Sequence, residues 1–406
     1  MPETGSVETL TRRVAAFGLP EGERLESLQV PAEDWQAFLA SLVHQRLSGL
    51  AMAMATAEDC RLALTDEQTE ELLTWHRRFM LHALTLEREL LALASSFEDA
   101  DIASVVLKGP AVAHTCYPDT SWRPFGDLDV LVHVRDFQRA CRVLAELGFG
   151  RVFPEPRPRF VERFGHTALH RSRENLEIDL HRTLIPGPFG QWIDPGALMA
   201  RTVSFSLGGR SLRRLDDTAL LLHACVHASL GARPPLLLPV RDVAQVIASA
   251  QLDWELLAEW GRRWRLHAVL RHALETASGM LRWEIPAQAR QLMTDPRRRE
   301  RRALEAYTTS RRNKGGQTLE TVWAIRGIRA KSAYVRALLV PSHEFLQARE
   351  GNTVRASYLR RWKVPVRWLA ARYRDVAKAS HTGAEMTSQR SWPAQTGDVL
   401  PSEKRP

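Results

Sequence analysis

Two aspartates one residue apart, set in a run of valine and leucine, restrict this chain more than any other feature it carries. The run is RPFGDLDVLVHV, residues 123–134, and the aspartates are Asp127 and Asp129. Its composition is that of a β-strand, and alternation along a strand sends both carboxylates to one face and Leu128 to the other. Two like charges so close repel, and neither is buried cheaply without a counter-ion. The stretch therefore predicts either a solvated strand end or a cation site.

Apolar periodicity assigns the elements around it. Residues 1 to about 100 read as helical throughout, with TDEQ suggesting a capping box between Thr65 and Gln68. From Ile102 the pattern changes. IASVVLKG is a short strand stopped by Gly109-Pro110, AVAHTCY reads as a helix, and the aspartate strand follows. RDFQRACRVLAELGF is a helix ending at Gly148, and HTALHRS and LEIDLHRTL form an antiparallel hairpin through RENL. The order β-α-β-α-β-β predicts an α+β protein with a small mixed sheet embedded between helical segments. The expected divisions are a helical region 1–100, the sheet domain 101–211 with its strands finished by residue 186, a helical region 212–378, and a disordered polar tail 379–406.

Composition narrows the class. With 406 residues, 44% apolar and 25% charged, the chain fits a soluble globular protein of two or three domains. The net charge of +9 is concentrated in the arginine-rich part after Pro296, which reads as solvated helix face. Within it YLRRWKVPVRWLAARYRDVAK interleaves arginine with Trp and Tyr. That pattern suits a packed helix, with an anionic membrane surface or nucleic acid as the alternatives. Four scattered cysteines give neither a zinc ribbon nor a disulfide framework, and neither a signal peptide nor a membrane-spanning run is evident, so a cytoplasmic location is expected.

Three features of the sheet segment converge on one chemistry. Asp127 and Asp129 share a strand face, Asp179 lies between Ile178 and Leu180 on a later strand, and VLKG ends a strand at Lys108-Gly109. Carboxylates are hard donors. Two or three at one point suit Mg²⁺, which takes its remaining ligands from water and substrate phosphates. Glycine lets backbone N–H groups approach an anion, and lysine adds positive charge. The combination matches metal-assisted nucleotidyl or phosphoryl transfer. For Asp179 the competing reading is a pair with Arg182. Arg123 suits a phosphate oxygen by its planar fork, or pairs with Asp127. His181 shares the strand face of Asp179 and can approach the site. His223 and His227, four apart on a helix, lack the glutamate and third ligand of a metal motif, so acceptor-site or packing roles are expected.

The segments VVLKG, AVAHTCYPDTSWRPFGDLDVLV, VLAELGF and LEIDLH together resemble the uncharacterised bacterial nucleotidyltransferase-like family of the polymerase-β-type nucleotidyltransferase superfamily. Weaker likeness in the helical flanks extends this to roughly residues 30 to 350. The resemblance implies a nucleotidyltransferase palm in which Asp127 and Asp129 hold two Mg²⁺ ions. Asp179 supplies the third carboxylate and activates the acceptor, while Lys108, Gly109 and Arg123 contact the phosphates of an NTP, with ATP the expected donor. Lys-Gly stands where the wider superfamily has Gly-Ser or Gly-Gly. The implied reaction transfers a nucleoside monophosphate to a hydroxyl on a small molecule, sugar or peptide, in natural-product or polysaccharide biosynthesis. Nucleic acid is not the expected acceptor. A phosphotransferase on the same palm and a non-catalytic binding protein retaining the fold are the alternatives.

Overall fold

Burial on both faces decides which strand is central. In the computed structural model, which describes residues 6–20, 27–58, 62–308 and 314–350, every residue of the strand Leu128–Val132 is buried. The expected tail and the aromatic–basic stretch after residue 350 lie outside the described residues.

The strands in chain order are β1 (Leu28–Gln29), β2 (Leu62–Ala63), β3 (Ser104–Val106), β4 (Leu128–Val132), β5 (Gly150–Arg151), β6 (Thr167–Arg171), β7 (Glu177–His181), β8 (Thr202–Leu207) and β9 (Arg210–Leu215). β1 and β2 form a short parallel pair among the N-terminal helices. The other seven make one mixed sheet in the order β5-β6-β7-β4-β3-β9-β8. β4 runs antiparallel to β3 and parallel to β7, and β6 and β7 form the expected antiparallel hairpin. The fold is α+β. β8 and β9 extend the expected strand order at the β3 side, where β9 pairs in parallel with β3. Their signal was present. Gly208 and Gly209, both at positive φ, make a two-residue turn between alternating runs. β9 also runs through residues 211 and 212, where the sequence reading ends the sheet domain.

The sheet separates two apolar cores. Leu128, Val130, Val132, Ile178 and Leu180 face one, packed with Leu86, Leu90 and Phe97 of the 34-residue helix Asp66–Asp99 and with Phe137 and Leu144 of the helix Phe137–Glu146. Val105, Leu107, Leu131 and Leu215 face the other, which is filled by the N-terminal helices and by the helices Asp217–Leu230, Leu237–Ser249 and His267–Leu281. The long helix begins with the expected capping box: the Gln68 N–H donates to Thr65 Oγ1 (3.2 Å) and the Thr65 N–H to Gln68 Oε1 (3.0 Å).

Polar ties fasten the helices to the sheet segment. Arg241, 0% exposed, donates from Nη1 to the carbonyls of Ala15 and Phe17 and from Nη2 to Gln245 Oε1, and Gln245 Nε2 donates to the Cys116 carbonyl. Both terminal nitrogens of this buried cation thus find acceptors, while Nε makes no hydrogen bond. Among the described residues no helix is long and apolar enough to cross a membrane.

Candidate metal and phosphate site

Antiparallel pairing brings the lysine turn and the aspartate pair to one end of the sheet. Lys108 follows the end of β3 and Asp127 directly precedes β4. Gly109 between Lys108 and Pro110 adopts φ +60°, ψ −117°, a conformation that L side chains rarely take, and a Cβ there would sit 3.5 Å from the Asp127 carbonyl oxygen. The tight turn sets Lys108 Nζ 2.9 Å from Asp129 Oδ2 and 3.4 Å from Asp127 Oδ2.

The third carboxylate arrives through strand register. Parallel pairing of β4 with β7 sets Asp129 opposite Asp179 and Leu131 opposite His181. Asp129, Asp179 and His181 therefore share one face, and one ligand atom from each lies within 4.8 Å of the others. Thr167 on β6, two strands from β4, donates its hydroxyl to Asp179 Oδ1 (3.2 Å).

Electrostatics then assign the protonation states. Burial alone raises the Asp129 carboxyl, but the Lys108 ammonium and the His181 hydrogen bond outweigh it and hold the group ionised, well below the usual carboxylate range. His181 Nε2 faces Asp129 Oδ1 at 2.9 Å and Nδ1 faces the Thr183 carbonyl at 3.1 Å. Both nitrogens meet oxygen acceptors, an arrangement that favours the protonated ring. Burial lowers the His181 pKa, and the Asp129 bond and the charges of Asp129 and Asp179 more than reverse this. Asp179 differs: burial dominates and lifts its pKa above the ordinary value. Lys108, His181 and Arg46, whose Nη1 is 3.9 Å from Asp127 Oδ1, are the basic groups that face the three carboxylates.

The donor set fits a divalent cation. Asp129 Oδ2 is buried and makes no hydrogen bond, although Lys108 stands within ion-pair distance. The Nδ1–H of His181 on Thr183 O is the usual outer tie of a ligating imidazole, leaving Nε2 for an ion once its proton departs. Asp127, 28% exposed at its side chain, is the open edge of the cluster.

Other residues singled out in the sequence fall elsewhere. Arg123 does not present a free fork. It is 4% exposed and clamps Asp242 on the helix Leu237–Ser249, with Nε to Oδ1 at 2.9 Å and Nη2 to Oδ2 at 2.7 Å, while Nη1 donates to the Gly109 carbonyl (3.3 Å). The planar fork that suits phosphate suits a buried carboxylate equally, and Asp242, about 120 residues away, gave no sign of being its partner. Arg182 likewise donates to the Gly165 carbonyl, with no ion pair to Asp179. His223 is buried with Nδ1 3.3 Å from the Leu107 carbonyl, its pKa pushed down to about 4, and burial holds the His227 pKa well below the ordinary value. His223 is a neutral packing group of the helix Asp217–Leu230, whereas His227, one turn on, borders the cavity beside the Lys108-Gly109 turn. Arg46 was not anticipated at all. It lies in the turn between two N-terminal helices, at φ +59°, and no local pattern relates it to Asp127.

A mixed sheet with two acidic residues at the head of a central strand, a third on its parallel neighbour and a Lys-Gly turn facing them defines a nucleotidyltransferase-like protein. The chain belongs to the family described as uncharacterised nucleotidyltransferase, whose model matches residues 31–282. Among solved structures it is similar to an antigenic nucleotidyltransferase-like protein from Paracoccidioides brasiliensis. The two are 15% identical over 50% of this chain and 95% of that one, with a TM-score of 0.31. No curated protein matches the chain.

Proposed function

We propose that the protein is a divalent-metal-dependent nucleotidyltransferase that moves a nucleoside monophosphate from an NTP, with ATP the favoured donor, to a hydroxyl acceptor. The observation that carries this reading is the register of β4 and β7, which sets Asp179 beside Asp129 on a face also occupied by His181. Asp127, Asp129, Asp179 and His181 are the groups that would hold Mg²⁺, two ions in the full arrangement, which when bound neutralise phosphate charge.

The protein's own groups account for the rest. The acceptor oxygen attacks the α-phosphorus and forms the new O–P bond. The bond between the α-phosphorus and its bridging oxygen breaks, and pyrophosphate leaves with the electron pair. The acceptor proton goes to Asp179, whose raised pKa makes it a better proton acceptor than an ordinary surface carboxylate. Lys108 moves its ammonium from the aspartates to the departing phosphates, and the Gly109 turn offers close backbone approach. Arg123 serves by positioning that turn, through its bond to the Gly109 carbonyl. The helical regions before and after the sheet segment supply the acceptor pocket, for a small molecule, sugar or peptide. A cytoplasmic site of action is supported by the free thiols of Cys116, Cys141 and Cys225.

The test is product analysis with a cell extract as the source of acceptor, using ATP labelled separately at the α and γ positions. Transfer of the α label with release of pyrophosphate is expected. Transfer of the γ label with release of ADP would instead establish the phosphotransferase, and neither product would favour a non-catalytic binding protein.

A further inference from the structure

Two cavities adjoin at Arg46, Pro124 and Phe125. The smaller, of about 130 Å³, is lined by Lys108, Gly109 and Asp127 and closed by the helices that follow the sheet segment. The larger, of about 490 Å³, lies between the long helix Asp66–Asp99 and the segment that delivers Asp127 to the site. Both are bordered by Arg46, Pro124 and Phe125, and Gly126 lines the larger. An occupant of the larger cavity reaches Gly126, the residue before Asp127, and Arg46, whose Nη1 lies 3.9 Å from Asp127 Oδ1.

The wall of the larger cavity has a definite chemistry. Trp75, Arg78, Phe79 and His82 fall at i, i+3, i+4 and i+7 on the long helix, so they form one face of it. The Trp75 and Phe79 rings are 6.2 Å apart, and the Arg78 guanidinium lies 5.4 Å from the Trp75 ring centre. Arg78 is exposed and has no ion pair among the described residues. His82 Nε2 is taken up by the Gly126 carbonyl at 3.2 Å. The lining therefore combines the aromatic rings of Trp75, Phe79 and Phe125 with the cations Arg46 and Arg78, and no carboxylate or side-chain amide borders the cavity to read the edge of a base.

In a nucleoside triphosphate the α-phosphorus stands between the nucleoside on one side and the β- and γ-phosphates on the other. With the α-phosphorus at the aspartates, the two ends must run into different spaces. The small cavity beside the Lys108-Gly109 turn suits the two phosphates, and the larger, aromatic and cationic one suits the nucleoside. We propose, resting on the transfer reaction above, that Trp75, Phe79 and Arg78 hold the nucleoside of the donor by stacking. They read its ring area rather than its hydrogen-bonding edge. Adenine and guanine nucleotides then bind within a few-fold of each other, and pyrimidine nucleotides, with less ring to stack, bind more weakly.

The experiment is calorimetric titration of the full chain with Mg–ATP and, separately, with Mg–tripolyphosphate, which has the phosphates but no nucleoside. The proteins are wild type, Trp75→Leu and Phe79→Ala, each verified as folded by its circular dichroism melt. Phe79 lies outside the apolar cores, so its variant carries the test if Trp75→Leu does not fold. Loss of base stacking predicts that Mg–ATP weakens roughly tenfold or more in either variant, while Mg–tripolyphosphate changes less than twofold. Wild-type affinity for Mg–ATP in both variants overturns the nucleoside site and leaves the transfer reaction standing. Equal weakening of both ligands also overturns it, because the effect then lies in the phosphate grip. Failure of wild type to bind either ligand removes the transfer reading and this inference together.

Discussion

Replacing Lys108 with methionine separates the internal counter-ion from the rest of the site. In the structure its ammonium bridges Asp129 at 2.9 Å and Asp127 at 3.4 Å, and Asp129 is only 2% exposed. At an effective dielectric of about 20, a unit charge pair at that shorter distance attracts by roughly 6 kcal/mol before desolvation is counted. Removing one partner of such a buried pair costs about 3–5 kcal/mol. His181 remains on the other carboxylate oxygen, so the low end of about 3 kcal/mol is expected. The assay is urea unfolding in EDTA and again across a titration of Mn²⁺. Lys108→Met should lose stability in EDTA and regain most of it as the ion replaces the ammonium, since a ligand at a hundred times its Kd contributes about 2.7 kcal/mol. Wild type should gain less, because the ion must first displace Lys108. Unchanged stability of the variant in EDTA, or no recovery with Mn²⁺, would refute the view that lysine and metal compete for one pair of carboxylates.

Three further outcomes follow from other contacts. Arg123→Ala leaves the buried Asp242 with only the Tyr117 hydroxyl (2.9 Å) and should cost about 3 kcal/mol in urea unfolding, with Arg123→Lys restoring only part; unchanged stability would reassign the fork to substrate. His170 and His223 are buried with pKa values pushed down to about 4, so both are neutral in the fold at pH 5 while the unfolded chain protonates them. Their contribution is present above pH 6.5 and is lost as pH falls toward 4, at about 3 kcal/mol each; His223→Gln should flatten the acid side of the stability curve, and an unaltered slope would contradict this. Asp179→Asn should lower turnover in the pyrophosphate-release assay by about 10²–10⁴-fold and remove the acidic limb of its pH profile, whereas a variant retaining that limb would show the proton goes elsewhere.

What the sequence made legible was local. The capping box at Thr65, the helix ending near Gly148 and the β6–β7 hairpin each depend on residues a few positions apart, and each is found in the structure. The aspartate strand is shorter than the quoted run, because Asp127 lies in the bend before β4 and pairs with no neighbouring strand. Two features escaped for different reasons. The β8–β9 hairpin carries a signal, Gly208-Gly209 between alternating runs, but its strands are short and the helical period that follows is stronger. Arg46 and the Arg123–Asp242 clamp had none, since contacts between segments 80 to 120 residues apart are set by packing rather than by periodicity. His181 stood between these cases. Its two-residue offset from Asp179 gave the face, but its bond to Asp129 needed the register of a parallel pair that alternation alone does not fix.

The most direct test of the cluster is Mn²⁺ binding followed by electron paramagnetic resonance, on wild type and on Asp129→Asn and Asp179→Asn, with no nucleotide added. Saturable binding to wild type, weakened at least tenfold in each variant, is the expected result. Equal Mn²⁺ affinity in all three proteins would mean that β4 and β7 do not build a metal site between them.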